Sequence, residues 1–109
     1  MATKSEIKNR RASYHKDLIR SLRDPEEAAG YLTASLELGE PDVFLIALRN
    51  VAEAHGGLLK LSRKTKLNRA NLYCMLSKKG NPELFSLELL LKSFGLRLAV
   101  EVDSEKKAA

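Results

Sequence analysis

The feature that most limits what this chain can fold into is its punctuation. Asp24-Pro25, Gly39, Pro41, Gly56-Gly57, Asn68, Gly80-Asn81-Pro82, Ser86 and Gly95 cut residues 24–95 into short pieces. Each piece carries its apolar residues at helical spacing between a capping residue and a glycine or proline stop. An isolated helix shorter than about 12–15 residues is marginal in water, so such pieces hold only by leaning on one another. A mainly helical single domain is the expectation.

The pieces can be read one by one. Asp24-Pro25-Glu26-Glu27 offers an N-cap, a proline at the first helical position and a glutamate at N3. Ala28, Leu32, Ser35 and Leu36 form a stripe behind it, and Gly39 ends it. Pro41 opens the next helix, with Phe44, Ala47, Leu48, Val51 and Ala52 in register up to Gly56-Gly57. Leu58, Leu61 and Thr65 mark a short helix, Lys66-Leu67 a turn, and Asn68 the cap of a second short helix reaching about Lys79. Leu72, Met75 and Leu76 are its inward face, and Leu67 and Leu72 are spaced as a hydrophobic staple. Ser86 is expected to cap a last helix with Leu87, Leu90, Leu91 and Phe94 on one side and Phe85 and Leu90 as its staple; Gly95 closes it. Upstream, Tyr14, Leu18 and Leu22 indicate one more short helix, and residues 1–13 read as a flexible basic arm.

After Gly95 the period changes. Leu96, Leu98, Val100 and Val102 alternate with Arg97, Ala99 and Glu101, a strand pattern over residues 96–102. No other segment reads as a strand, and a lone strand leaves its N–H and C=O groups unpaired. The expectation is pairing between protomers through Leu96, Leu98, Val100 and Val102. The fold class is thus mainly α, with five to six helices and one C-terminal β-strand in a domain spanning 14–102, followed by a flexible tail at 103–109.

Charge narrows the function. Residues 1–23 carry seven bases and two acids, residues 24–56 one base and seven acids, and residues 57–82 seven bases and no acid. An all-basic block in a chain that is 30% charged is the electrostatic footprint of a surface that meets phosphate. Little supports catalysis. The two histidines, His15 and His55, lie near no recognisable nucleophile or carboxylate arrangement, and His55 reads as the end of a helix, where a cation suits the macrodipole. Cys74, the single cysteine, reads as a small packing residue and excludes an internal disulfide or a zinc site of paired thiolates. Gly56-Gly57 lacks the remainder of a nucleotide-binding loop. Neither catalytic residues nor a cofactor or metal is expected. The N-terminal residues are polar and no apolar run approaches the length of about 18 residues that spans a membrane, so a cytoplasmic location is expected.

The basic block coincides with the two short helices. In a helix-turn-helix, the second helix enters the major groove and presents its N-terminal residues to base edges. Here Arg69, Ala70, Asn71, Tyr73 and Cys74 occupy the faces not used by the core, and Arg and Asn suit guanine and adenine edges respectively. Arg63, Lys64, Lys66, Asn68, Lys78 and Lys79 flank them as phosphate contacts, which add affinity without sequence information.

Leu61 to Tyr73, Leu76-Ser77, Gly80-Asn81-Pro82 and Leu96 to Val100 together resemble the HigA-like probable addiction module antidote family. Asp24 to Leu32 and Phe44 to Arg49 are similar to it as well, so the resemblance covers roughly residues 14–102. It implies a lambda-repressor-like helix-turn-helix, neutralisation of a small RelE/ParE-like toxin, and autorepression at its own operator; a homodimer paired through the terminal strand would make that operator palindromic. Two positions depart from the family pattern: Ser62 stands where alanine is common, and Lys66 where glycine is. Lys66 should therefore adopt a positive φ, at a cost of roughly 1 kcal/mol relative to glycine. A stand-alone transcriptional regulator and a protein-interaction adaptor are the competing readings.

Overall fold

The computed structural model describes residues 3–77 and 81–104. Six helices follow in chain order: α1 (Lys4–Ser21), α2 (Pro25–Glu37), α3 (Pro41–Ala54), α4 (Gly57–Thr65), α5 (Arg69–Met75) and α6 (Leu84–Ser93). The α3 helix is the hub, packing against α1, α2 and α4, while α4 in turn holds α5 and α6. The core is one cluster that draws Leu22 from the end of α1, Leu32 from α2, Leu48 and Val51 from α3, Leu61 from α4, Leu72 from α5, and Leu90 and Phe94 from α6 and its cap.

Several starts and stops are as the punctuation dictates. Asp24 caps α2 by accepting a hydrogen bond from the Glu26 N–H at 3.0 Å, with Pro25 at the first position. Gly95, at φ +82°, terminates α6 in a Schellman arrangement: the Leu96 N–H reaches back to the Leu91 carbonyl at 2.8 Å, and that of Gly95 to Lys92 at 3.0 Å. Polar bonds then tie helix to helix. The Asn50 amide donates to the Tyr31 hydroxyl at 2.8 Å, joining α3 to α2, and the Lys64 ammonium donates to the Ser93 carbonyl at 2.8 Å, joining α4 to α6.

Four expectations need correction. Residues 4–13, read as a flexible arm, are the first half of α1. Its start is a capping box in which Thr3 and Glu6 satisfy each other's backbone N–H, so the helix forms there without an apolar stripe to announce it. The cap of α6 is Glu83 rather than Ser86, which leaves Phe85 inside the helix and 70% exposed instead of acting as a staple. Leu36, assigned to the inward stripe of α2, is 60% exposed, and Ser35 takes the buried place by donating its hydroxyl to the Leu32 carbonyl. Finally, no strand occurs among the described residues, so the C-terminal β-strand at 96–102 does not form in the single chain. A strand is a property of a pair, and the described residues supply no second member. The segment instead lies along α2, lining a groove with Ala29, Thr33 and Leu36 and with Phe44 of α3.

Candidate nucleic-acid interface

The two short helices are set by their glycine entry and their lysine turn. Gly56 and Gly57 have φ of +103° and +83°, and these consecutive left-handed residues swing the chain from α3 into α4. A Cβ at Gly56 would run into the Lys60 side chain. At the far end Lys66 adopts φ +63° and ψ +11°, the one non-glycine residue with positive φ among those described. The expected strained turn is thus present. Thr65 braces it: its hydroxyl donates to the Leu61 carbonyl at 2.7 Å and accepts from the Leu67 N–H at 3.2 Å. Leu67 packs against the core beside this bracket.

Asn68 then caps α5, its side-chain oxygen accepting from the Ala70 N–H at 2.7 Å. Leu72 and Met75 are buried and fix the rotation of α5 about its axis. That rotation leaves Arg69, Ala70, Asn71, Tyr73 and Cys74 exposed, so the five residues assigned to base contact share the outward surface of one two-turn helix. Tyr73 also borders a cleft with Leu58, Gly57 and Glu53, between α5 and the ends of α3 and α4.

The flanking bases divide. Arg63 and Lys66 are exposed, and no ion pair engages them among the described residues. Lys64 is turned away, spending its ammonium on the carbonyl end of α6. Lys78 and Lys79, expected as phosphate contacts, lie outside the described residues.

The histidines take up structural positions. His15 of α1 meets Glu53 of α3 at 2.9 Å on the surface. His55 is the C-cap residue of α3, its ring tilted by 38° against that of Phe94 at 4.8 Å between centroids, with Nε2 buried and without a hydrogen-bond partner among the described residues. Burial, then the nearby Lys64, push its pKa below the usual 6.5, with Lys60 adding to the effect and a hydrogen bond to the Leu22 backbone opposing it. The neutral form is favoured there, contrary to the cationic cap expected from sequence.

Two contributors escaped sequence reasoning. Gly56-Gly57 reads as a stop, whereas it also aims α4. Thr65 reads as an inward residue, whereas its hydroxyl braces the turn; a threonine just before a helix-ending lysine is the signal.

Among the described residues no helix is long and apolar enough to cross a membrane, and no cluster of three or more His, Cys, Asp and Glu side chains could hold a metal ion. Comparison with curated proteins and with solved structures returned no match. The family model of the probable addiction module antidote protein matches residues 13–102, from the second half of α1 through all the later helices to the extended segment after Gly95. Membership carries with it an antitoxin role and a toxin partner. Over that span the chain belongs to the probable addiction module antidote protein family.

Proposed function

We propose that the protein is a dimeric DNA-binding antitoxin that neutralises a RelE/ParE-like toxin and represses its own operon. The observation that carries the DNA-binding part is the outward face of α5, where Arg69 and Asn71 stand exposed behind a braced turn in an all-basic block. Arg69, Ala70, Asn71, Tyr73 and Cys74 meet base edges in the major groove, while Arg63, Lys66, Asn68, Lys78 and Lys79 neutralise phosphates. Lys64 joins them only when released from α6. Exposed N–H groups at the start of α5 add to phosphate binding.

Dimerisation falls to the segment after Gly95. Leu98 is 43% exposed, Val102 77% and Val100 fully so, and Leu36 stands exposed on the adjoining wall of α2. A second copy supplies the missing strand, and the two-fold axis sets paired α5 helices about one turn of DNA apart, roughly 34–36 Å. The operator is palindromic in consequence.

The test is binding of the full chain to the promoter fragment upstream of its own gene, with random duplex as competitor. Arg69→Ala should weaken promoter binding by roughly 1–3 kcal/mol and relax the preference at one base pair. An equal loss on promoter and random DNA removes α5 from the role of reading helix. Co-purification with the product of the neighbouring reading frame tests the toxin.

A further inference from the structure

We propose that Lys4, Lys8 and Arg11 of α1 form a second contact with the phosphates of duplex DNA, apart from the helix-turn-helix. Positions 4, 8, 11, 15, 18 and 22 follow alternating steps of four and three, which place all six on one side of a helix. At the body of the protein this side faces inward: Leu22 is buried, Leu18 packs against the core, and His15 meets Glu53. One, two and three turns further out the same side carries Arg11, Lys8 and Lys4, all exposed, where a packing helix would carry leucines. Both acids of α1, Glu6 and Asp17, fall on the opposite side.

Position decides which partner this stripe can meet. Glu53 lines the cleft that Tyr73 of α5 borders, together with Gly57 at the start of α4. The stripe therefore leaves the body next to Glu53, a residue that also lines the cleft bordered by Tyr73 of α5. At 1.5 Å per residue Lys4 lies about 16 Å beyond His15 along the axis. A second copy of α1 cannot cover the stripe, because bases would oppose bases at every seam position. Among the described residues no ion pair engages any of the three. Duplex DNA, with one negative charge per about 1.7 Å of axis, matches a row of three exposed cations that begins one turn beyond His15. The inference rests on the reading of α5 as a DNA-binding helix.

The experiment measures anisotropy of a labelled 30-bp (about three turns) mixed-sequence duplex with the full chain, from about 50 to about 200 mM KCl. The stripe variant Lys4→Ala, Lys8→Ala, Arg11→Ala is compared with a charge-matched variant on the other faces, Arg10→Ala, Lys16→Ala, Arg20→Ala. Alanine favours helix, and circular dichroism verifies α1 in both. Three lost phosphate contacts shorten the slope of log K against log salt by about 2.7, so the wild type loses about 40-fold more affinity over that range than the stripe variant does. The charge-matched variant keeps the wild-type slope. Equal slopes for the two triple variants overturn the stripe. If Arg63→Ala, Arg69→Ala still weakens binding in that case, the α5 reading survives alone. A wild type that shows no salt-dependent binding to the duplex overturns both.

Discussion

Lys66 offers a perturbation in which stability and function move in opposite directions. At φ +63° a side chain with a Cβ pays about 1–2 kcal/mol for the left-handed conformation, which glycine does not pay. Lys66→Gly recovers this but gives the unfolded chain more freedom, an opposing effect of about 0.4–1 kcal/mol. The net expectation is stabilisation by about 0.5–1 kcal/mol, or a rise in Tm of about 2–8 °C for a domain of this size. Urea titration should show a higher midpoint with an unchanged m value. Lys66→Ala keeps the Cβ and should be nearly neutral, whereas Lys66→Val adds a β-branch and should destabilise by about 1 kcal/mol or more. On the proposal that Lys66 neutralises a phosphate, the same glycine variant should weaken DNA binding with a salt slope shortened by about 0.9. A series in which glycine is less stable than alanine, with valine tolerated, would refute the strained turn and the reasoning built on it.

Other outcomes can be stated briefly. Leu61→Ala, at a fully buried position, should cost about 2–5 kcal/mol, read as the fall in urea midpoint. His55 has a folded pKa below its unfolded 6.5, so its contribution to stability is full above pH 6.5 and is lost as pH falls through that value toward the folded pKa. The denaturation midpoint of the wild type should therefore decline from pH 7.5 toward acid more than that of His55→Phe; parallel declines would show that His55 is not the group responsible. On the proposed strand pairing, Val100→Asp should shift sedimentation toward the monomer and weaken operator binding more than toxin binding, while a wild type that is already monomeric at about 50 μM would defeat the arrangement.

What could be read from sequence was whatever local chemistry decides. Asp24-Pro25, Asn68 and Gly95 each impose a terminus through their own bonds or dihedrals, and each acts where it was placed. Leu32, Leu48, Leu61, Leu72 and Leu90 belong to stripes wide enough that any packing buries them. The exposed α5 face follows from the same rule, since burying Leu72 and Met75 determines what is left outside. The failures occur where a choice belongs to a neighbour. Ser35 and Leu36 both read as inward on α2, and only the packing of the neighbouring helices leaves Leu36 outside while Ser35 is buried. Lys64 has an ordinary surface sequence context, and only the approach of α6 gives it a carbonyl. Residues 4–13 carry no apolar periodicity, and the one local signal of the helix is the Thr3-x-x-Glu6 capping-box spacing at its start. The segment 96–102 has the right alternation, yet no strand forms there among the described residues, because alternation alone provides no second strand to pair with.

The sparse anchoring of α1 has a consequence for how the protein comes apart. None of its 18 residues is buried, and its outer turns are held by backbone bonds that water can replace. Amide protons from about Ile7 to Tyr14 should therefore exchange through local opening at a small fraction of the global free energy, whereas those around Leu48 and Val51 wait for complete unfolding. A protease that requires locally opened chain finds it there before the core is disturbed, and its rate of attack follows the population of the open helix. Any ligand that clamps those turns lengthens the life of the whole chain without touching the core.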